Sequence, residues 1–212
     1  MLSKQEALTI ALLVLLVLIF TVVGQTASFR EFGIKRAMFI NDKWVRNRPE
    51  LDTADAMTFK QAQKRVDSII EWSKKLNYMY PEVHYKRVAK DIFAIVELET
   101  GFVNYNNYID NGTSFGVFSM QWSTAKGIAN SRGWKYDRDL LAEDTNTQAK
   151  LAVYYYYHQL QQKKDRFTAI MSYNNPSVDE NKERWRKYVM EVLGRITYHS
   201  KLMEQNRKGS KI

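Results

Sequence analysis

The chain has 212 residues, no cysteine and a formal net charge of +9. That length allows one domain with a hydrophobic core plus an appendage. Without cysteine, neither a disulfide nor a thiolate metal site is available.

The positive charge indicates an anionic partner, such as nucleic acid, anionic lipid or an acidic cell wall, or simply a solvated basic surface. The basic residues are spread along the sequence, apart from a basic tail that we assign to residues 201–212. They form no nucleic-acid-binding motif, so we expect no nucleic acid partner. The three histidines, His84, His158 and His199, lack the spacing of metal ligands, so we expect no metal and no cofactor.

Residues 7–23 are almost wholly apolar and follow a short tail, residues 1–6. As a helix they would span about 26 Å at ~1.5 Å per residue, slightly less than a ~30 Å hydrocarbon core. The stretch is longer than the apolar region of a signal peptide, which has about 7–15 residues. We therefore predict a transmembrane anchor. A cleaved signal is the alternative, because small residues occur between Gly24 and Ala27.

Residues 24–56 are predicted to form a stem or linker. They mix Phe29, Phe32, Phe39 and Trp44 with Arg and Lys, and they show no sustained period. Near a membrane, Phe and Trp beside basic residues can lie at the interface. An irregular segment packed on the domain is the alternative.

The domain itself is predicted over residues 57–200. Thr58 and Gln61 have the form of a capping box for a first helix, and Pro81 suits the first turn of a second helix that ends at Glu99. Further helices are predicted at 123–130, 145–160 and 166–172 and from about 178 onward. Because strand-like alternation is almost absent, the predicted fold class is mainly α.

Two acids close the second helix. Glu99 continues the apolar stripe of Val88, Ile92 and Val96, whereas Glu97 projects from the other side and is predicted to be the more solvated acid. Burial beside a polar loop disfavours the charged form of a carboxyl group, which suits a general acid in a cleft. A structural glutamate satisfied by backbone or by an arginine is the alternative.

Three sequence blocks resemble the soluble lytic transglycosylase family, which has the lysozyme-like fold. Residues 99–102, Glu-Thr-Gly-Phe, resemble the family motif E-S-x-F, and residues 116–125 match its segment G-L-M-Q-x-x-x-x-T-A. Residues 172–174, Ser-Tyr-Asn, match its A-Y-N, and the order and approximate spacing agree over roughly 59–198. Two departures occur: the family glutamine falls on Ser119, with Gln121 two residues later, and no glycine follows residue 174.

The resemblance implies a lysozyme-like helical domain that cleaves the bond between N-acetylmuramic acid and N-acetylglucosamine in peptidoglycan. Glu99 would protonate the glycosidic oxygen and then accept the proton of the C6 hydroxyl, which attacks C1 and leaves a 1,6-anhydro sugar. Thr100 would stand where the family has a serine and orient the carboxyl group. The other implied substrate-binding residues are Ser114, Ser119, Gln121, Tyr155, Tyr173 and Asn174.

Two other functions remain open from the sequence. Asp110, used as a second acid, would indicate a lysozyme-type hydrolase, although Asp110-Asn111-Gly112 is a strong turn signal. A non-catalytic wall-binding or virion structural protein could keep the same fold. The expected partners are peptidoglycan strands, the membrane through residues 7–23, and proteins of a virion or envelope complex.

The predicted location follows from the anchor and the substrate. Lys4 precedes residues 7–23, whereas Arg30, Lys35 and Arg36 follow it, so the positive-inside rule would place the domain in the cytoplasm. Access to peptidoglycan requires the opposite orientation. We therefore predict a single-pass membrane protein whose catalytic domain faces the periplasm or cell wall. A protein carried in the membrane of a virus particle is the alternative.

Overall fold

The computed structural model describes residues 29–48, 57–109, 112–174 and 183–209, and this part of the chain is mainly helical, as predicted. A small antiparallel sheet of three strands, in the order β1-β2-β3, is inserted between the third and fourth helices. The helices are α1 (29–46), α2 (Phe59–Lys75), α3 (Tyr85–Glu99), α4 (Trp122–Arg132), α5 (Arg138–Glu143), α6 (Thr145–Lys163), α7 (Arg166–Asn174) and α8 (Glu183–Gly209). The strands are β1 (Tyr105–Ile109), β2 (Ser114–Gly116) and β3 (Met120–Gln121).

Helix α3 lies at the centre of the core. Every residue from Ile92 to Glu97 is buried, and the helix packs against α2, α6 and α8. A helix that is apolar nearly all round is a core helix rather than a surface one. Its C-terminal end therefore brings Glu97 and Glu99 into the middle of the fold.

Local capping explains where the flanking helices begin. The Thr58 side chain accepts a hydrogen bond from the Gln61 backbone N–H, and the Gln61 side chain accepts one from the Thr58 N–H, which is the predicted capping box of α2. Asp144 accepts hydrogen bonds from the backbone N–H groups of Asn146 and Thr147 and so begins α6. Both of these helix starts are confirmed.

Some boundaries differ from the prediction. Helix α3 begins at Tyr85, with the His84 ring accepting a hydrogen bond from the Lys86 N–H, and Pro81 lies in the turn that precedes it. The sheet was not predicted, because strands of two to five residues are too short to show alternation. The predicted start of the last helix near residue 178 lies outside the described residues.

Helix α1 replaces most of the predicted stem. Phe29, Ile34 and Ala37 are buried in the core, and Phe29 meets Phe93 of α3 edge-on with ring centroids 5.9 Å apart. A Cβ atom on Gly33 would lie 3.2 Å from Val66 Cγ1, so α1 approaches α2 closely. At the other end of the chain, α8 runs through the predicted basic tail to Gly209.

The length and composition of the helices bear on the predicted membrane location. Within 29–48, 57–109, 112–174 and 183–209, none of them is long and apolar enough to cross a membrane. This finding contradicts the prediction of a single-pass membrane protein, whether in a cell or in a virus particle. The predicted anchor at 7–23 and the tail at 1–6 lie outside the described residues.

Candidate active site

Glu99 is half-buried at the C-terminal end of α3 and faces a cleft that several distant segments build together. The enclosed part of the cleft has a volume of about 70 Å³. The lining residues come from α3, the sheet, α4, α6 and α7: Glu99, Ser114, Ser119, Met120, Gln121, Thr124, Tyr155, Tyr173 and Asn174. Seven of the eight predicted site residues are therefore in one place, and Thr100 is the exception.

The Glu99 carboxylate is held by α7 and faced by α8. Asn174 Nδ2 donates a hydrogen bond to Glu99 Oε1 at 2.8 Å, which joins the C-terminal ends of α7 and α3. The Tyr188 hydroxyl of α8 is buried on the same side and has no hydrogen bond of ordinary length within the described residues. Burial raises the pKa of Tyr188 well above its usual value, and the negative charge of Glu99 raises it further. Tyr188 therefore remains a neutral donor beside the carboxylate.

Thr100 has a different role from the one implied by the resemblance. Its side chain is fully buried, and its hydroxyl donates to the Val117 carbonyl oxygen at 2.6 Å. It therefore does not line the cleft or orient the Glu99 carboxyl group from inside it. Instead it ties the end of α3 to the loop between β2 and β3, which carries Ser119 into the cleft.

The glycine of the same motif is explained by α1. Gly101 has φ +56°, and a Cβ atom there would lie 2.4 Å from Trp44 Cδ2, so the turn accepts only a glycine without moving the indole. Asn41 Nδ2 donates to the Gly101 carbonyl oxygen at 3.3 Å, and Arg65 donates to the Phe102 carbonyl oxygen. Side chains of α1 and α2 thus hold the turn that follows Glu99.

A buried glutamine that the sequence analysis missed fixes the loop bearing Ser119. Gln148 Oε1 accepts a hydrogen bond from the Val117 N–H at 2.9 Å, and Gln148 Nε2 donates to the Leu141 carbonyl oxygen at 2.8 Å. Gly116, with φ +75°, makes room for it, because a Cβ atom there would be 2.4 Å from Gln148 Oε1. Ser119 itself has φ +49°, so the loop is strained where it enters the cleft.

Two tyrosines form the apolar wall. The rings of Tyr155 and Tyr173 lie 5.6 Å apart, and their hydroxyl groups donate to the carbonyl oxygens of Ser172 and Phe118, at 3.2 Å and 3.3 Å. Burial raises the pKa of Tyr155 to about 12. Burial, with the negative charge of Glu99, raises the pKa of Tyr173 well above its usual value. Both rings therefore stay neutral and are fixed by the backbone.

A second pocket of about 240 Å³ opens beside Glu99 towards α8. Leu98, Glu99 and Asn174 line it together with four α8 residues that the sequence analysis did not single out for the site: Arg184, Lys187, Tyr188 and Glu191. These four residues are spaced by three, one and three positions, so they lie on one face of α8. That spacing is the sequence signal from which they could have been predicted as one group. Glu191 is a further acid near Glu99. Asp110 lies outside the described residues.

The prediction for Glu97 is wrong. Only 4% of its surface is exposed, and its carboxylate meets Arg36 Nη2 at 2.7 Å, His199 Nε2 at 2.8 Å and Arg195 Nε at 3.7 Å. Burial acts to raise the pKa of Glu97, but hydrogen bonds and charges from His199 and Arg36 outweigh it and hold the pKa below its usual value. Glu97 is thus the acid satisfied by arginine, and its partners come from α1 and α8.

Among the described residues no group of three or more His, Cys, Asp or Glu side chains could hold a metal ion. Comparisons of the chain with protein-family models, with curated proteins and with solved structures find no match. The cleft and its chemistry are therefore what bears on the function.

Proposed function

We propose that the chain is a peptidoglycan-cleaving lytic transglycosylase with a lysozyme-like helical domain, in which Glu99 serves as general acid and then as general base. One observation carries the proposal. Residues up to 75 positions apart, chosen from the sequence for this chemistry, line one cleft around a single half-buried carboxyl group: Glu99, Ser114, Ser119, Gln121, Tyr155, Tyr173 and Asn174.

The chemistry needs one proton carrier. Protonated Glu99 gives its proton to the oxygen between N-acetylmuramic acid and N-acetylglucosamine, and the C1–O bond breaks through an oxocarbenium-like state. The C6 hydroxyl of the muramic sugar then attacks C1 and returns its proton to Glu99, so the 1,6-anhydro product forms without an activated water. Asn174 donates to Glu99 Oε1, so the proposed reaction uses Oε2 to carry the proton.

The surroundings of Glu99 suit this substrate. The enclosed part of the cleft, about 70 Å³, is too small for a whole sugar, but it has room for a substituent such as an acetamido group, with Ser119 and Gln121 as hydrogen-bonding partners. On the other side of Glu99, Arg184 and Lys187 offer positive charge to the carboxylates of wall peptides. Tyr188 can stabilise the Glu99 carboxylate once its proton has left.

Digestion of purified peptidoglycan, followed by mass spectrometry of the products, tests the proposal. We expect products with non-reducing 1,6-anhydro ends, which are lighter by one water than hydrolysed products. No release of fragments would contradict catalysis and favour a wall-binding or virion structural protein.

A lysozyme-type hydrolase is the second candidate, and the position of Glu191 favours it. Glu191 lines the second pocket together with Glu99, and a second carboxylate is what a hydrolase needs to activate water. Mainly reducing ends in the digestion, and their loss in a Glu191→Gln variant, would establish that reaction instead.

A further inference from the structure

A cavity of about 320 Å³ lies between α1 and α8, away from the cleft. Its floor is Glu97, which projects about 200° around α3 from Glu99. The other lining residues are Ile40, Lys43, Trp44, Asn47, Arg48 and Arg195. This volume falls within the range of about 300–1,000 Å³ that small-molecule sites occupy. No role in the proposed reaction accounts for it.

The lining carries an excess of positive charge. The lining has three basic side chains, Lys43, Arg48 and Arg195, and one carboxylate, Glu97, which is already bound by Arg36 and His199. Arg195 Nε is buried and donates no hydrogen bond within the described residues, since its 3.7 Å distance to Glu97 Oε1 is too long. A buried guanidinium N–H without an acceptor is costly, and an anion in the cavity would supply the acceptor.

The remaining walls are held in place before any ligand arrives. The Arg48 guanidinium lies 3.8 Å from the centre of the Trp44 ring, and Trp44 Nε1 donates to the Tyr105 hydroxyl at 2.7 Å. Lys43 is exposed and has no ion pair among the described residues, so its ammonium group can reach a ligand. Ile40 and the indole of Trp44 add apolar surface to the same cavity.

We propose that this cavity binds an organic anion. Its carboxylate or phosphate head contacts Lys43, Arg48 and Arg195, and its apolar body packs on Ile40 and on the part of the Trp44 indole that Arg48 and Gly101 leave uncovered. Charge-assisted hydrogen bonds from two guanidinium groups and one ammonium group hold the head. The apolar walls favour an organic anion over a bare inorganic ion.

Three aromatic probes of similar shape test the proposal on the full chain at constant ionic strength: benzoate, phenyl phosphate and neutral benzyl alcohol. Two-dimensional NMR follows the Trp44 indole N–H, which a Trp44→Phe variant assigns. We expect at least one of the two anions to shift this signal saturably, with inorganic phosphate binding more weakly and benzyl alcohol causing no saturable shift. The preferred anion tells a carboxylate site from a phosphate site.

Two variants and a control locate the binding. Lys43→Gln removes a charge that stabilises nothing else among the described residues, and Arg195→Gln removes the unpaired N–H; each should weaken binding about tenfold. Lys163→Gln removes the same charge from an exposed position at the end of α6 and should leave the affinity unchanged.

Three outcomes would overturn the proposal. They are the absence of a saturable shift with either organic anion, equal binding of benzyl alcohol, and equal weakening by Lys43→Gln and Lys163→Gln. Because Arg195→Gln also disturbs the surroundings of Glu97, Lys43→Gln is the decisive variant if the Arg195 variant fails to fold. Neither measurement depends on peptidoglycan cleavage, so the result tests the anion site independently of the proposed function.

Discussion

Glu97 and Glu99 lie two residues apart on α3, yet one is closed in by basic side chains and the other faces an open cleft. Substituting Glu99 by Gln keeps its size and its hydrogen bond to Asn174 but removes the proton that the proposed reaction needs. Since general acid–base catalysis contributes about 10²–10⁴-fold, we expect the rate of peptidoglycan digestion to fall at least a hundredfold with an unchanged melting temperature.

The control for Glu99 is Glu191→Gln, which removes the other acid that lines the second pocket. For a transglycosylase, Glu191→Gln should keep most of the activity. Wild-type activity in Glu99→Gln, in a protein that melts like the parent, would show that the proton comes from elsewhere.

Glu97→Gln should damage stability rather than chemistry. It leaves Arg36 and His199 without their buried carboxylate, and removing one partner of a buried ion pair costs about 3–5 kcal/mol. The pKa of Glu97 is below its ordinary value of 4.5, so its contribution is present above pH 4.5 and is lost as the pH falls through the lowered pKa. Urea unfolding at neutral and acidic pH measures both effects.

The difference in unfolding free energy between the parent and Glu97→Gln should therefore be large at pH 7 and shrink in acid. Equal stability of the two proteins at pH 7 would mean that Arg36, Arg195 and His199 do not need the Glu97 carboxylate for the stability of the fold. A difference that grows in acid would contradict the lowered pKa.

The sequence could identify Glu99 but not the environment of Glu97. Glu99 ends an apolar stripe and begins a recognisable motif, and both are local signals. The partners of Glu97, Arg36 and His199, lie 61 and 102 positions away. Periodicity along one helix does not show which elements cover its other side, so the solvated assignment failed.

At the scale of elements, α1 was missed because few of its core residues are large and apolar. Gly33 and Ala37 are small where α1 packs closely, and the buried stripe from Ile34 to Val45 includes the polar Asn41. Its contribution to the candidate site is indirect: Asn41 and Trp44 hold the turn after Glu99. Such an element shows no motif of its own, and its role becomes visible only with the tertiary contacts.

Gly101→Ala tests the contact between α1 and this turn. The new Cβ atom would lie 2.4 Å from Trp44 Cδ2, and alanine would also have to adopt φ +56°. Strain of this kind costs about 1–3 kcal/mol, so we expect a lower melting temperature and, because the turn follows Glu99, slower peptidoglycan digestion.

Gly127→Ala is the matched control, because this glycine lies in α4 and a Cβ atom there meets nothing within 4 Å. It should be neutral or stabilising by up to about 1 kcal/mol, since alanine favours helix. If both substitutions had the same effect, the packing of Trp44 on Gly101 would not matter for stability. In the double variant Gly101→Ala/Trp44→Ala, removal of the indole removes the clash, so Gly101→Ala should cost less stability there than it does in the parent.

For the whole molecule, α3 separates two different environments. On one side lies the cleft with its hydroxyl, amide and aromatic groups, and on the other lies the basic cavity between α1 and α8. The mainly helical class, the order of most helices and most of the cleft residues could be predicted, because capping and motif signals are local. The placement of α1 and α8 against α3 could not, because it depends on packing between segments far apart in sequence.

The protein has a net charge of +9, and two of its basic residues, Arg184 and Lys187 of α8, line the pocket beside Glu99. If they hold the carboxylates of wall peptides, an Arg184→Gln/Lys187→Gln variant should lose about tenfold in kcat/KM on peptide-bearing strands, since two exposed charges contribute up to about 1 kcal/mol each. On glycan strands stripped of peptides the same variant should match the parent. Raising the salt concentration should narrow the difference on peptide-bearing strands, because screening weakens exposed charge pairs.

A Lys163→Gln/Lys201→Gln variant removes two exposed charges elsewhere and controls for the overall field of the protein. It should retain the parent's preference for peptide-bearing strands. An equal loss on both substrates in the Arg184→Gln/Lys187→Gln variant would show that these residues maintain the cleft rather than recognise peptides. If kcat/KM on peptide-bearing strands fell equally in the two double variants, the effect would come from net charge. Attraction of an acidic polymer to a basic protein does not require a particular pocket.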